Sequence, residues 1–186
     1  MLKGEIPITQ LVLECEESLI NKQDKDGNTA LHLTVVSGRA DIVQTLLFFY
    51  PDMTIVNKEG ETVWCTAAKH HHWKGLQVLL RHESSLEGRS AESKRAAECL
   101  LWLVDGLLLE EEDGKSAGDG VGGRNEVAMG GICERVWQVV EANPEIAKEM
   151  EKFEGHHILK YFVDAYFLHD RLIMKYVGGL LHLLFA

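Results

Sequence analysis

The chain has 186 residues, 46% of them apolar, which is enough to bury a core, and 3 prolines with 8% aromatics argue against a mostly disordered chain. Its net charge of −10 comes with no basic stripe, which argues against nucleic acid, because phosphate recognition needs clustered Lys and Arg. Cys15, Cys65, Cys99 and Cys133 form no CxxC pair and lie among apolar neighbours; they read as buried thiols in a reducing, intracellular and cytoplasmic setting, not as disulfides or a zinc set.

From the start of the chain, Glu5, Pro7, Glu14, Glu16 and Glu17 interrupt any signal-peptide core. Ile8 to Leu13, followed by Ser18-Leu19-Ile20-Asn21, reads as the second helix and tail of a repeat whose first helix is missing. A clear internal repeat follows. Asp26-Gly27-Asn28-Thr29-Ala30-Leu31-His32 recurs as Glu59-Gly60-Glu61-Thr62-Val63-Trp64-Cys65, an offset of 33 that also carries Val43 onto Leu76, Leu46 onto Leu79 and Leu47 onto Leu80. Gly27 and Gly60 suit a tight turn at positive φ, and Thr29 suits a helix cap, typically worth about 1 kcal/mol. Leu31 and Val35, then Ile42, Val43, Leu46 and Leu47, fall at helical spacing and predict helices with one apolar face.

That period is the ankyrin one, and Gly27-Asn28-Thr29-Ala30-Leu31-His32 resembles the family's G-x-T-P-L-H signature. Ser37-Gly38-Arg39 matches the turn between the helices, and Asp41 to Leu47 the second helix. In the next copy Val63, Trp64, Cys65 and His71 stand where the family carries Pro, Leu, His and the turn glycine. The resemblance implies that His32 hydrogen-bonds locally and ties neighbouring repeats together instead of catalysing. It also implies a concave partner-binding face of hairpin tips and outer helix ends. Those positions are Lys25, Asp26, Asn28, Val36 and Ser37 in the first copy, and Lys58, Glu59, Glu61, Lys69 and His70 in the second.

Beyond the repeats, Glu83 to Glu92 reads as a polar linker or degenerate repeat, and a helix is predicted over about 92–109, capped by Ser90. The acidic, glycine-rich stretch 110–125 reads as a mobile loop, since it lacks apolar surface to bury. Gly114-Lys115-Ser116 and Gly118 to Gly123 mimic nucleotide motifs, but no strand precedes them and the neighbouring carboxylates would repel a phosphate. Ile132, Val136, Trp137, Val139 and Val140 line a helix ending near Ala142. Asn143-Pro144-Glu145 then reads as an Asn cap, a Pro at the first helical position and an acid facing the dipole. Gly155 is expected to stop that short helix, a second runs through Ile158 to Phe167, and Asp170 caps a third. Short helix, glycine, helix and longer helix resemble an armadillo repeat over residues 143–185.

The histidine groups invite a metal reading. Consecutive helical residues point about 100° apart, so His70-His71-His72 cannot converge on one ion and reads as a solvated turn. His156-His157 with His169 reads the same way, with no nearby carboxylate or thiol completing a set. No Ser or His sits in a recognisable nucleophile frame, and the apolar runs at 100–109 and 177–186 fall short of the roughly twenty residues a bilayer demands. The expected protein is therefore all-α. Ankyrin-type helix pairs over 1–88 stack as a short solenoid; a helix at 89–109, the loop at 110–125 and armadillo-like helices over 126–186 continue it. It is expected to bind a protein or peptide through its concave surface. No catalytic residue, metal, cofactor, nucleic acid, membrane or small-molecule substrate is expected. The other function the resemblance implies is a targeting subunit, such as a substrate receptor of a ubiquitin ligase.

Overall fold

A computed structural model describes residues 19–113, 122–166 and 171–184. Among them run nine helices and no strand. The chain divides into two compact units, Met1–Leu79 and Leu80–Ala186, with the boundary inside a helix.

The first unit is built on two helix pairs, α1 (Ala30–Val36) with α2 (Ala40–Leu47), and α3 (Val63–Lys69) with α4 (Trp73–Ser85), whose later turns pass into the second unit. Thr29 and Thr62 are extended, at φ −82 and φ −79, and their Oγ1 atoms accept from His32 and Cys65 N–H at 3.5 Å, so each pair opens on the same cap. Helices of seven or eight residues are unstable alone. Packing holds them: α1 lies against α2 and α3. Leu31 and Trp64 are both buried, as are the repeat-related pairs Val43 and Leu76, Leu46 and Leu79, and Leu47 and Leu80. Fully burying a side chain of this size stabilises by about 1.5–3 kcal/mol. The inter-helix turn also repeats, with Gly38 at φ 70 and His71 at φ 55, so histidine occupies a left-handed position that glycine holds in the first copy.

The second unit contains α5 (Ala91–Asp113), α6 (Gly122–Ala142), α7 (Glu145–Lys152), α8 (Gly155–Tyr166) and α9 (Arg171–Leu184). The helix α5 packs on α6 and α7, while α9 packs on α6, α7 and α8. Leu100, Leu103, Val136, Val140, Met150, Leu159, Phe162, Val177 and Leu180 are buried. Ser90 Oγ accepts from Ser93 N–H at 3.1 Å, the cap its position implied.

Several expectations are corrected. Residues 83–92 are not simply a polar linker: α4 runs to Ser85, and Glu83 is buried against Arg89, its Oε1 2.7 Å from the guanidinium Nε. Burial still pushes that carboxyl above its ordinary range. The ends of the stretch expected as a loop are helical, since α5 continues to Asp113 and α6 opens at Gly122; at the first of these ends Glu110, Glu111 and Glu112 are good helix formers. The rest of that loop, 114–121, lies outside the described residues, as do the N-terminal half-repeat up to Ser18, Cys15, Phe167, His169 and the Asp170 cap.

Gly155 does not stop α7. It is the first residue of α8, and Glu154 takes the left-handed position at φ 54. What demands glycine at 155 is proximity, because a Cβ there would stand 2.7 Å from the Met150 carbonyl oxygen. Asn143 Oδ1 accepts from Glu145 N–H at 3.2 Å, and the helix begins at Glu145, just after Pro144.

Candidate functional site

Two loops of matching design, 24–28 and 57–61, stand at the open ends of α1 and α3. In each, an Asx side chain receives two backbone donors. Asp24 Oδ1 accepts from Asp26 and Asn28 N–H, both at 2.9 Å; Asn57 Oδ1 accepts from Glu59 N–H at 3.0 Å and Glu61 N–H at 2.9 Å. Backbone bonds close both loops, Asp24 N–H to Asn28 O at 2.9 Å and Asn57 N–H to Glu61 O at 3.0 Å. Those donors hold the Asp24 carboxyl below its usual range, the Asn28 N–H first among them.

The loops are also fastened to each other. Lys58 N–H donates to Asp26 O at 3.0 Å, and Asn57 Nδ2 donates to Asn28 Oδ1 at 3.3 Å. His32 completes the join. Its Nδ1 accepts from Thr29 N–H at 3.3 Å and lies 2.8 Å from Thr29 Oγ1, while Nε2 faces Glu61 O at 3.2 Å. A neutral ring with the proton on Nε2 satisfies every one of these contacts. Burial holds the imidazole below its ordinary value and favours that neutral form, against smaller opposing effects of Glu61 and Asp24. This histidine is a local clamp between repeats.

Beside the loops lies a groove of about 320 Å³ lined by Asp26, Asn28, Val36, Asn57, Lys58, Glu59, Glu61, Thr66, Lys69 and His70. Eight of the ten sequence-expected positions therefore share one concavity, while Lys25 and Ser37 are exposed but outside its lining. Asn57 and Thr66 were missed by sequence reasoning. Asn57 had a readable signal, since it stands one repeat after Asp24; Thr66 is buried on α3 and offered none. Lys69 is the electrostatic centre. Its Nζ is 2.6 Å from Glu59 Oε2 and 2.7 Å from Glu61 Oε1, which raises the ammonium's pKa and lowers that of the Glu59 carboxyl. Against Lys58 and Lys69 stand Asp26, Glu59 and Glu61, so carboxylates outnumber ammonium groups on the lining, which also carries His70.

The remaining suspects separate cleanly. His70 and His71 are exposed, and His72 packs against Gly38, where a Cβ would stand 3.2 Å from its ring. The expectation that no carboxylate joins His156 and His157 is corrected: Glu154 Oε2 lies 3.0 Å from His157 Nδ1 and 3.8 Å from His156 Nε2. Cys65, Cys99 and Cys133 are buried thiols, and burial pushes the Cys99 thiol up to about 12, which disfavours its thiolate. Among the described residues no helix is long and apolar enough to cross a membrane.

Residues 26–58 match the family model of the ankyrin repeat, and this segment is an ankyrin repeat. Among curated proteins, the chain is 28% identical over 138 residues to a probable E3 ubiquitin-protein ligase of Oryza sativa subsp. japonica, covering 70% of this chain and 26% of that protein. It is 33% identical over 69 residues to the nuclear factor NF-kappa-B p105 subunit of Rattus norvegicus, covering 37% and 7% respectively. To the protein lin-12 of Caenorhabditis elegans it is 26% identical over 160 residues, covering 86% and 10%. The chain thus spans about a quarter or less of the length of these relatives. No solved structure matches it significantly.

Proposed function

We propose that this chain is a protein-interaction module, not an enzyme, and that the groove beside loops 24–28 and 57–61 receives a polar segment of a protein partner. The observation that carries the reading is the cross-fastening of the loops by Lys58 N–H, Asn57 and His32, which presents Asp26, Asn28, Glu59 and Glu61 on a preorganised edge. Rigid presentation reduces the ordering cost of association. The excess of carboxylates favours a partner segment carrying Lys or Arg. The helices α7, α8 and α9 serve as an armadillo-type extension, on the strength of their lengths and the Asn143-Pro144-Glu145 start. Buried thiols at Cys65, Cys99 and Cys133 support an intracellular, cytoplasmic setting.

The test is cross-linking and affinity capture with the untagged wild-type chain and with an Asp26→Lys, Glu59→Lys variant whose helicity matches wild type. Partners that depend on the groove should be lost from the variant. Recovery of the same set at the same yield from both proteins overturns the reading. The alternative, a targeting subunit of a ubiquitin ligase, is supported by 28% identity to a probable E3 ubiquitin-protein ligase and does not outweigh it. Stoichiometric capture of ligase subunits through another surface would reverse that ranking.

A further inference from the structure

The elbow between α7 and α8 holds three metal-type donors that the sequence set aside. His156 and His157 are the second and third residues of α8, while Glu154 stands just outside it in the α7–α8 turn, so its carboxylate is placed by the turn and not by helical periodicity. Glu154 sits in the left-handed region at φ 54, a conformation that costs a non-glycine residue about 1–2 kcal/mol. Gly155 lets the chain fold back onto the Met150 carbonyl, as noted for the 2.7 Å approach. This corner turns the Glu154 side chain toward the first turn of α8, where the rings of His156 and His157 lie 3.8 Å apart, centroid to centroid.

One ligand atom from each of Glu154, His156 and His157 lies within 4.8 Å of the other two. Four ligands about 2.0–2.1 Å from a tetrahedral zinc stand about 3.3 Å from one another. The observed separations from Glu154 Oε2, 3.0 Å to His157 Nδ1 and 3.8 Å to His156 Nε2, bracket that spacing. All three side chains are part-exposed, so a hydrated ion can approach and keep water at the open coordination position. Two imidazoles with one carboxylate suit a borderline-soft ion such as Zn²⁺ better than Mg²⁺ or Ca²⁺, which take oxygen ligands. The N-terminal end of the α8 dipole opposes a cation, so the Glu154 carboxylate is the ligand that offsets it.

We propose that Glu154, His156 and His157 form a divalent transition-metal site, with Zn²⁺ its best-matched occupant, clamping the α7–α8 elbow. The site shares no residue with the groove and does not depend on its role. Zn²⁺ titrated into the untagged full chain, followed by calorimetry and by imidazole ¹⁵N spectra, should show one saturable equivalent whose shifts fall on His156 and His157. Glu154→Gln and His157→Gln should each weaken binding at least about tenfold, the least that losing even an outer-shell partner costs. A His70→Asn, His72→Asn variant should bind as wild type does. Absence of saturable binding, shifts confined to His70 to His72, or unchanged affinity in folded Glu154→Gln and His157→Gln proteins would each overturn the assignment and leave a plain carboxylate–imidazole pair. The wild-type spectra decide the question even where a variant fails to fold.

Discussion

Alanine at Gly178 and alanine at Gly179 should move stability in opposite directions, although the residues are neighbours in α9. Each exchange gains the same helix propensity, about 0.8–1 kcal/mol, with a share of it from the lower entropy of the unfolded chain. A Cβ on Gly178 meets nothing within 4 Å, so the gain is expressed. On Gly179 the new carbon would stand 2.8 Å from Trp137 Cη2, 3.0 Å from Cε3 and closer still to Cζ3. The indole is rigid, so α6 or α9 must retreat, and overpacking of this kind costs about 1–3 kcal/mol. Gly178→Ala should therefore stabilise by about 0.5–1 kcal/mol, and Gly179→Ala should lose about 1–2 kcal/mol after its propensity gain. Urea unfolding followed by circular dichroism and tryptophan fluorescence measures both. A Trp137→Leu background should remove most of the Gly179 penalty and leave the Gly178 gain intact. If Gly179→Ala proved as stable as Gly178→Ala, the Trp137 contact would not be the constraint described.

Two further outcomes test the groove scaffold. Gly27 and Gly60 share a left-handed backbone, φ 81 and φ 78, but a Cβ on Gly27 would stand 2.8 Å from Lys58 N while one on Gly60 meets nothing within 4 Å. Both alanine variants should lose the strain cost of about 1–2 kcal/mol; Gly27→Ala should lose about 1 kcal/mol more as the Lys58–Asp26 bond breaks, and equal midpoints in urea would refute this. His32 titrates in the second test. Its folded pKa lies below the ordinary 6.5, so as pH falls the unfolded chain takes up the proton first. The stability linked to the neutral ring is complete above about 6.5 and is lost as pH falls toward the folded value. The thermal midpoint should drop between about pH 7.5 and pH 5.5, and His32→Gln should flatten the slope. An unchanged slope would show that the ring is not held neutral.

How much was legible varied with the range of the interactions involved. The caps at Thr29 and Ser90 and the apolar stripes through Leu46 and Leu79 rest on contacts near in sequence or fixed by the 33-residue period, while the role of His32 as a tie between repeats came with the ankyrin resemblance. The ankyrin resemblance implied the hairpin-tip positions, and eight of them line the groove; periodicity placed equivalent positions of the two copies in register. It could not show that Lys69 reaches both Glu59 and Glu61, since a flexible side chain's choice among carboxylates depends on where the loop tip comes to rest.

The sequence by itself determined that the described residues are helical, where the helix pairs of the two repeat copies start, and, through its 33-residue period and signature residues, that 26–58 are an ankyrin repeat. Hydrogen bonding and amphipathic spacing within about one helical turn carry that information. Only the tertiary structure decided that Glu154 and not Gly155 turns the α7–α8 corner, that Glu83 is buried against Arg89, and that Trp137 fills the space over Gly179. Each of these depends on which backbone or ring approaches from another turn or another helix, and no window of sequence encodes that distance.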